Sequence, residues 1–201
     1  MSSLPLTKNI VSAEKEATIR KAVMNSNNLE KLGRLATEKD AKSLTVLLKD
    51  PLISNPIYNL PNKINQKTIT EFIQKHLLER KLGEGLLMIR TDKEDAVCAY
   101  YDIKIWPQWA ACSLGGAIRH DHQNSGEGGS GAATSFNWLF NNINIDLICE
   151  TCSLENIRTA KLLERVGFTY KGEIKSKLPN GNYRPSLYWE LEKENWRGKI
   201  K

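Results

Sequence analysis

The sequence lacks any stretch of about eighteen apolar residues, the length a membrane-crossing helix needs, and no apolar leader segment opens it. A cytoplasmic chain without a membrane partner is the expectation. Cysteine is scarce: Cys98, Cys112, Cys149 and Cys152 are the four, each inside an apolar run. That excludes a disulfide-stapled secreted scaffold and fits buried thiols in a reducing compartment. Cys149 and Cys152 have Cys-x-x-Cys spacing, but residues three apart on a strand face opposite sides. No second pair completes a zinc site, and His120 and His122 have no third ligand nearby, so no metal is expected. Charge runs are missing too: the net charge is +6, yet no five like charges are consecutive. Dispersed basicity suits a polyphosphate ligand or an acidic partner better than direct contact with nucleic acid. The five tryptophans read as packing rather than as a base-stacking platform. With no repeats and no internal linker, 201 residues fit one domain with its own core.

Glycine is what the chain has, and in one place. Gln123-Asn124-Ser125-Gly126-Glu127-Gly128-Gly129-Ser130-Gly131 is followed by residues 132–140, where Ala132, Phe136 and Leu139/Phe140 are spaced for one helix face. A glycine turn feeding a helix N-terminus presents unpaired N–H groups and the positive end of the dipole, which suits phosphate. A flexible tether has similar composition. A nucleotide P-loop is excluded, because Ala132 and Ala133 stand where its Lys must follow the last glycine. Gly126, Gly128 and Gly131 match the dinucleotide spacing, with Glu150 about twenty residues on. That motif wants a strand running into its first glycine, whereas the apolar stretch here stops at Ile118 and residues 119–125 intervene. An NAD(P)-dependent oxidoreductase is the runner-up enzyme.

Periodicity and breakers order the rest. A charged helix is predicted over 12–24 and a first strand over 29–36. Thr37 and Asp40 suggest a capping box before a helix with Ala41, Leu44 and Leu47/Leu48 inward, stopped by Pro51. Residues 55–65 read as loop. Thr68 and Glu71 suggest a second box, opening a helix whose face is Ile69, Phe72/Ile73 and Leu77. Strands follow at 86–90 and, half-buried, at 97–105. The strand at 110–118 contains Gly115-Gly116, a pair that suggests a bulge or a close approach to a ligand. A strand at 145–152, a helix at 157–165 capped by Gly167, and a hairpin about Pro179-Asn180-Gly181 complete the chain.

This order resembles the GNAT superfamily of acyl-CoA-dependent N-acyltransferases. The family's Gln/Arg-x-x-Gly-x-Gly/Ala loop is matched by Gln123, Gly126 and Gly128. Its Asn-x-x-Ser, followed by Leu-Glu-Lys-x-Gly-Phe, reads here as Asn156-Ile157-Arg158-Thr159 and Leu163-Glu164-Arg165-Val166-Gly167-Phe168. The two motifs align without a gap, a distance a tether has no reason to keep. The branch most resembled is RimJ/RimL-like, over about residues 29–196. The resemblance implies an α+β GNAT fold with a mixed central sheet of about six or seven strands and helices on both faces. It places the acetyltransferase domain at 29–197, with 1–28 as a charged arm or added helix.

It also implies transfer of an acetyl group from acetyl-CoA to a primary amine. The acceptor would be a protein N-terminus, a polyamine, an aminosugar or an antibiotic, and the protein a monomer or homodimer. The pyrophosphate would sit on the N–H groups of Gly126, Gly128, Gly129, Ser130 and Gly131, with Gln123 in the same loop. A main-chain N–H of Gly116, Ala117 or Ile118 would polarise the thioester carbonyl. Asn156 would fix the pantetheine arm or the loop, and Thr159 would protonate the leaving thiolate. Glu150 is the first candidate for general base and Asp121 the second. Residues 55–62 and 177–184 would wall the acceptor cleft. Leu163 stands where other branches carry a thiolate-protonating Tyr, and Glu127 puts a carboxylate beside the phosphates. Those departures motivate the alternative of a non-catalytic acyl-CoA-binding or partner-binding module.

Overall fold

Two spacings of apolar residues, near 3.6 at the flanks and two in the middle, sort this chain into helices packed on a sheet. The structure, a computed structural model, describes residues 4–27, 33–122 and 127–198. In order come α1 (Ala13–Asn25), β1 (Arg34–Leu35), α2 (Ala41–Leu48), α3 (Pro51–Ser54), α4 (Gln66–Lys81), β2 (Gly85–Thr91) and β3 (Val97–Trp106). Then follow β4 (Ala111–Ile118), α5 (Glu127–Trp138), β5 (Leu147–Ser153), α6 (Ile157–Val166), β6 (Thr169–Lys177) and β7 (Tyr183–Glu192).

The seven strands lie in the order β1-β2-β3-β4-β5-β7-β6, and every neighbouring pair is antiparallel except β4 with β5. The sheet is mixed and α+β, with helices on both faces. On one face Leu86, Met88, Ile103 and Ile105 pack with Ile19 and Val23 of α1, Phe136 of α5 and Leu163 of α6. On the other, Leu87, Ile89 and Tyr100 pack with Leu44 and Leu48 of α2 and Ile69 and Ile73 of α4. A smaller cluster of Cys149, Ile174 and Tyr188 is joined by Trp106 and by Leu4 from the segment before α1.

Local signals place most elements. Ser12 accepts from Lys15 N to cap α1, and Gly167, at φ 101°, ends α6 in the left-handed conformation only glycine takes freely. Four expectations need correction. Pro51 does not merely stop a helix; with Asp50 capping Leu52 N it opens α3, because proline at the first helical position loses no hydrogen bond. Asn65, not Thr68, caps α4, and Thr68 is the third-position partner of that box. β3 is central, and is buried on both faces rather than half-buried. Gly115-Gly116 makes no bulge: β3 and β4 pair without a register shift. Gly116 has φ +149°, and a Cβ there would lie 2.2 Å from Tyr100 O, so the close approach of β3 alone already requires glycine. The first strand is described only as Arg34–Leu35, the rest of 29–36 falling partly outside the described residues.

Candidate active site

β4 and β5 run parallel but pair only at Ala111↔Leu147 and Cys112↔Ile148. Beyond those rungs β4 continues to Ile118 along β3 while β5 continues to Ser153 along β7. The strands therefore open from one another, leaving one edge of β4 without a ladder partner. A cavity of about 700 Å³ occupies the opening. On a strand, successive N–H groups point to alternate edges. Leu114 N points to the open edge, as its bond to Glu150 shows, and Gly116 shares that direction, whereas Ala117 N turns toward β3.

Glu150 crosses the gap: its Oε1 accepts from Leu114 N at 2.9 Å. The side chain is half-buried and reaches the cavity, but the carboxyl itself is sunk between the strands. Burial penalises its charge and pushes it up to about 8, against a smaller downward pull from the Leu114 N–H. Among the described residues no cation is paired with it. A carboxyl poised near neutrality, in a cleft, is the property a general base needs.

The cavity also reaches Gly116, Ala117, Ile118, Gly131, Asn156 and Thr159. Asn156 Oδ1 accepts from Thr159 N at 3.1 Å, so that oxygen caps α6 and only the Nδ2 side of the amide is left to meet a ligand. Thr159 lies in the first turn of α6, where the positive end of the helix dipole favours an anionic leaving group. The helix of the glycine stretch begins at Glu127, earlier than the sequence suggests, and Gly128, Gly129, Ser130 and Gly131 lie in it. Its unpaired N–H groups are those of the first turn. Gln123 and Gly126 lie outside the described residues. Asp121 is bonded to Arg119 at 2.8 Å, which holds its carboxyl below the usual range, and it is not among the cavity's lining residues.

Pro56, Ile57, Tyr58 and Asn59 line the far side of the opening, but none of residues 177–184 does: Lys177 ends β6, Tyr183 and Arg184 begin β7, and Arg184 Nη1 donates to Pro56 O at 3.3 Å and stacks on Tyr58. Tyr58 hydrogen-bonds Thr151 of β5, and Asn59 Nδ2 donates to Asp102 Oδ2 of β3 at 2.6 Å. Leu114, His76 and Asp102 escaped the sequence reading, which reached Tyr58 and Asn59 only as part of residues 55–62. The legible hints were an acid inside an apolar strand, Asp102, and a histidine continuing the buried stripe of α4, His76.

A largely antiparallel sheet with a single parallel pair is not the doubly wound parallel sheet a dinucleotide fold requires. After β4 the chain also turns through His120–His122, rather than running from strand into glycine. The oxidoreductase reading ends there. Among the described residues no group of three metal-ligating side chains comes together, and no helix is long and apolar enough to cross a membrane.

Comparison with known proteins agrees with this geometry. Residues 32–169 match the family described as "Acetyltransferase (GNAT) domain". The uncharacterized N-acetyltransferase YnaD of Bacillus subtilis (strain 168) is 22% identical over 141 residues, 69% of this chain and 83% of that protein. The crystal structure of a ribosomal-protein-S5-alanine acetyltransferase from Vibrio fischeri has a TM-score of 0.67 at 17% identity, covering 82% of this chain and 93% of the other. A spermidine N-acetyltransferase from Vibrio cholerae, in complex with CoA and spermine, gives 0.67 at 16% identity over 81% and 95%. With more than half its length matched and a sheet that opens between its one parallel pair of strands, the chain belongs to the GNAT acetyltransferase family.

Proposed function

We propose that this protein, of the RimJ/RimL-like branch, moves an acetyl group from acetyl-CoA to a primary amine by direct attack. Glu150, a carboxyl near its titration midpoint in the strand opening, is the observation that carries the reading. The site suits the co-substrate: β4 offers a free edge to an amide-bearing chain, and α5 offers first-turn N–H groups to its phosphates. Bound acetyl-CoA supplies an activated acyl thioester. Gly116 N–H would donate to the acyl oxygen as it gains charge. Glu150 takes the proton of the acceptor ammonium, the freed amine nitrogen bonds the acyl carbon, and the carbon–sulfur bond breaks. Thr159 would relay to the sulfur the second proton that the nitrogen sheds as the amide forms, its hydroxyl gaining one as it gives one.

Acceptor basicity then matters. Deprotonating a lysine-type amine at pH 7 costs roughly 4–5 kcal/mol, an α-amine only about 1. A base near 8 is matched to the α-amine, whose pKa is about 7.8, so proton transfer between them is nearly thermoneutral. A protein N-terminus is the acceptor this chemistry favours. Thiol release from acetyl-CoA, measured over a panel of peptides, polyamines and aminosugars, tests the proposal. A protein that binds CoA yet releases thiol with none of them is the non-catalytic module instead.

A further inference from the structure

The acceptor wall of the cleft holds a buried charged pair that plays no part in the steps above. His76, only 3% exposed, lies on the inward face of α4. Its Nδ1 is 2.8 Å from Phe72 O and its Nε2 is 3.0 Å from Asp102 Oδ1. A carbonyl and a carboxylate are both acceptors. A neutral imidazole has one N–H and would aim its lone pair at one of them, whereas the imidazolium satisfies both. Its titration moves in that sense: burial draws it down, and the contacts with Asp102 more than reverse this. Asp102 gives its other oxygen to Asn59 Nδ2 at 2.6 Å. Asn59 sits in the irregular segment before α4, and its neighbour Tyr58 is bonded to Thr151. The segment is thus moored to β3 by Asn59 and to β5 by Tyr58, one mooring on each side of the strand opening.

We propose that His76 is a positioning residue for the amine acceptor, its imidazolium holding Asp102 aimed at Asn59 and so fixing the wall against which the acceptor docks. This rests on the acetyltransferase reading above. Other titratable groups also face the pair. Glu79 of α4 approaches His76 Nε2 at 3.9 Å, but Lys104 of β3 at 3.2 Å and Lys75 of α4 at 3.8 Å occupy Glu79. Tyr100 of β3 and Tyr58 of the loop are held neutral by burial. Asp102 is therefore the counter-ion of His76. With a raised folded pKa, the mooring is complete below the ordinary histidine range and is lost as pH rises through the raised value.

The test compares wild type with Asn59→Ala, His76→Gln and Asp102→Asn, using an amine the wild type acetylates, from about pH 6 to about pH 9.5. Asn59→Ala should raise the acceptor KM about tenfold at the acid end, leaving the acetyl-CoA KM within about twofold. The ratio of acceptor KM, variant to wild type, should fall toward one as pH rises, because the acceptor's own titration cancels in the ratio. His76→Gln should abolish that pH dependence. A ratio that does not change with pH, or KM values for both substrates that move together, overturns the proposal. Ring nitrogen NMR reads the pair without turnover: His76 should carry two N–H groups at neutral pH in wild type and one in Asp102→Asn. A single N–H in wild type also overturns it. Silence across the whole amine panel would sink the enzymatic reading, while the NMR result would still decide the state of the mooring.

Discussion

Glu150 Oε1 accepts from Leu114 N at 2.9 Å, bridging two strands whose own ladder ends at Cys112↔Ile148. A side chain thus spans the place where main chain would otherwise pair. The folded state raises this carboxyl from about 4.5 to about 8, so it holds a proton that the unfolded chain releases in between. Its burial costs nothing below the ordinary carboxyl range; the cost accumulates as pH rises from about 4.5 to about 8 and is constant above that. Glu150→Gln keeps an acceptor for Leu114 N and removes the charge. The variant should be more stable than wild type above pH 8, on the order of 3 kcal/mol, with thermal midpoints measured at acid and alkaline pH showing the gap only at the latter.

Gly115 and Gly116 are adjacent on β4 but not equivalent. A Cβ on Gly116 would meet Tyr100 O at 2.2 Å at φ +149°, while one on Gly115 has Asp102 O as its nearest neighbour at 3.8 Å. Gly116→Ala should cost about 2 kcal/mol or more, and Gly115→Ala within about 1 kcal/mol, as read by urea denaturation.

The glycine helix makes a sharper demand on ligand than on stability. Gly128→Asp places a carboxylate in the first turn of α5, where the phosphates would sit. CoA affinity measured by calorimetry should fall beyond detection, while the melting temperature of the free protein stays close to that of wild type. Undiminished affinity would mean that α5 does not hold the phosphates.

Residues before α1 lie outside the family match yet are tied to the sheet. Glu190, 2% exposed, accepts from Thr7 N at 3.0 Å, from Thr7 Oγ1 at 2.7 Å and from Tyr188 Oη at 2.6 Å. Burial alone would raise its carboxyl, but these donors outweigh it and hold it below the usual range. That contribution is present above the ordinary glutamate pKa and is lost as pH falls through the depressed value. Glu190→Ala should cost about 2–3 kcal/mol and expose the chain at Lys8 to trypsin, an early cut visible by mass spectrometry and slow in wild type.

Elements with local signals were readable in the sequence: Ser12 and Gly167 cap their helices, and Gly181, at φ 86°, turns the last hairpin. Glu150 was readable because the family resemblance placed its strand beside the cleft. Leu114 was not, since what matters there is a main-chain N–H that every residue carries. His76 and Asp102 are 26 residues apart and meet only once α4 packs on β3. The early start of α5 escaped because glycine disfavours helix by about 1 kcal/mol per residue, which made Gly128 to Gly131 read as coil. The opening between β4 and β5 belongs to two strands joined through a helix, and no short-range pattern encodes it.

The most direct measurement is the pH dependence of kcat/KM for acetyl-CoA-dependent thiol release with an α-amine peptide, in wild type and Glu150→Gln. Wild type should show an ionisation near pH 8 in addition to that of the peptide's own α-amine, and the variant should keep only the amine's, with about a hundredfold or greater drop in rate. A Glu150→Gln enzyme with wild-type rate and an unchanged profile would contradict the account.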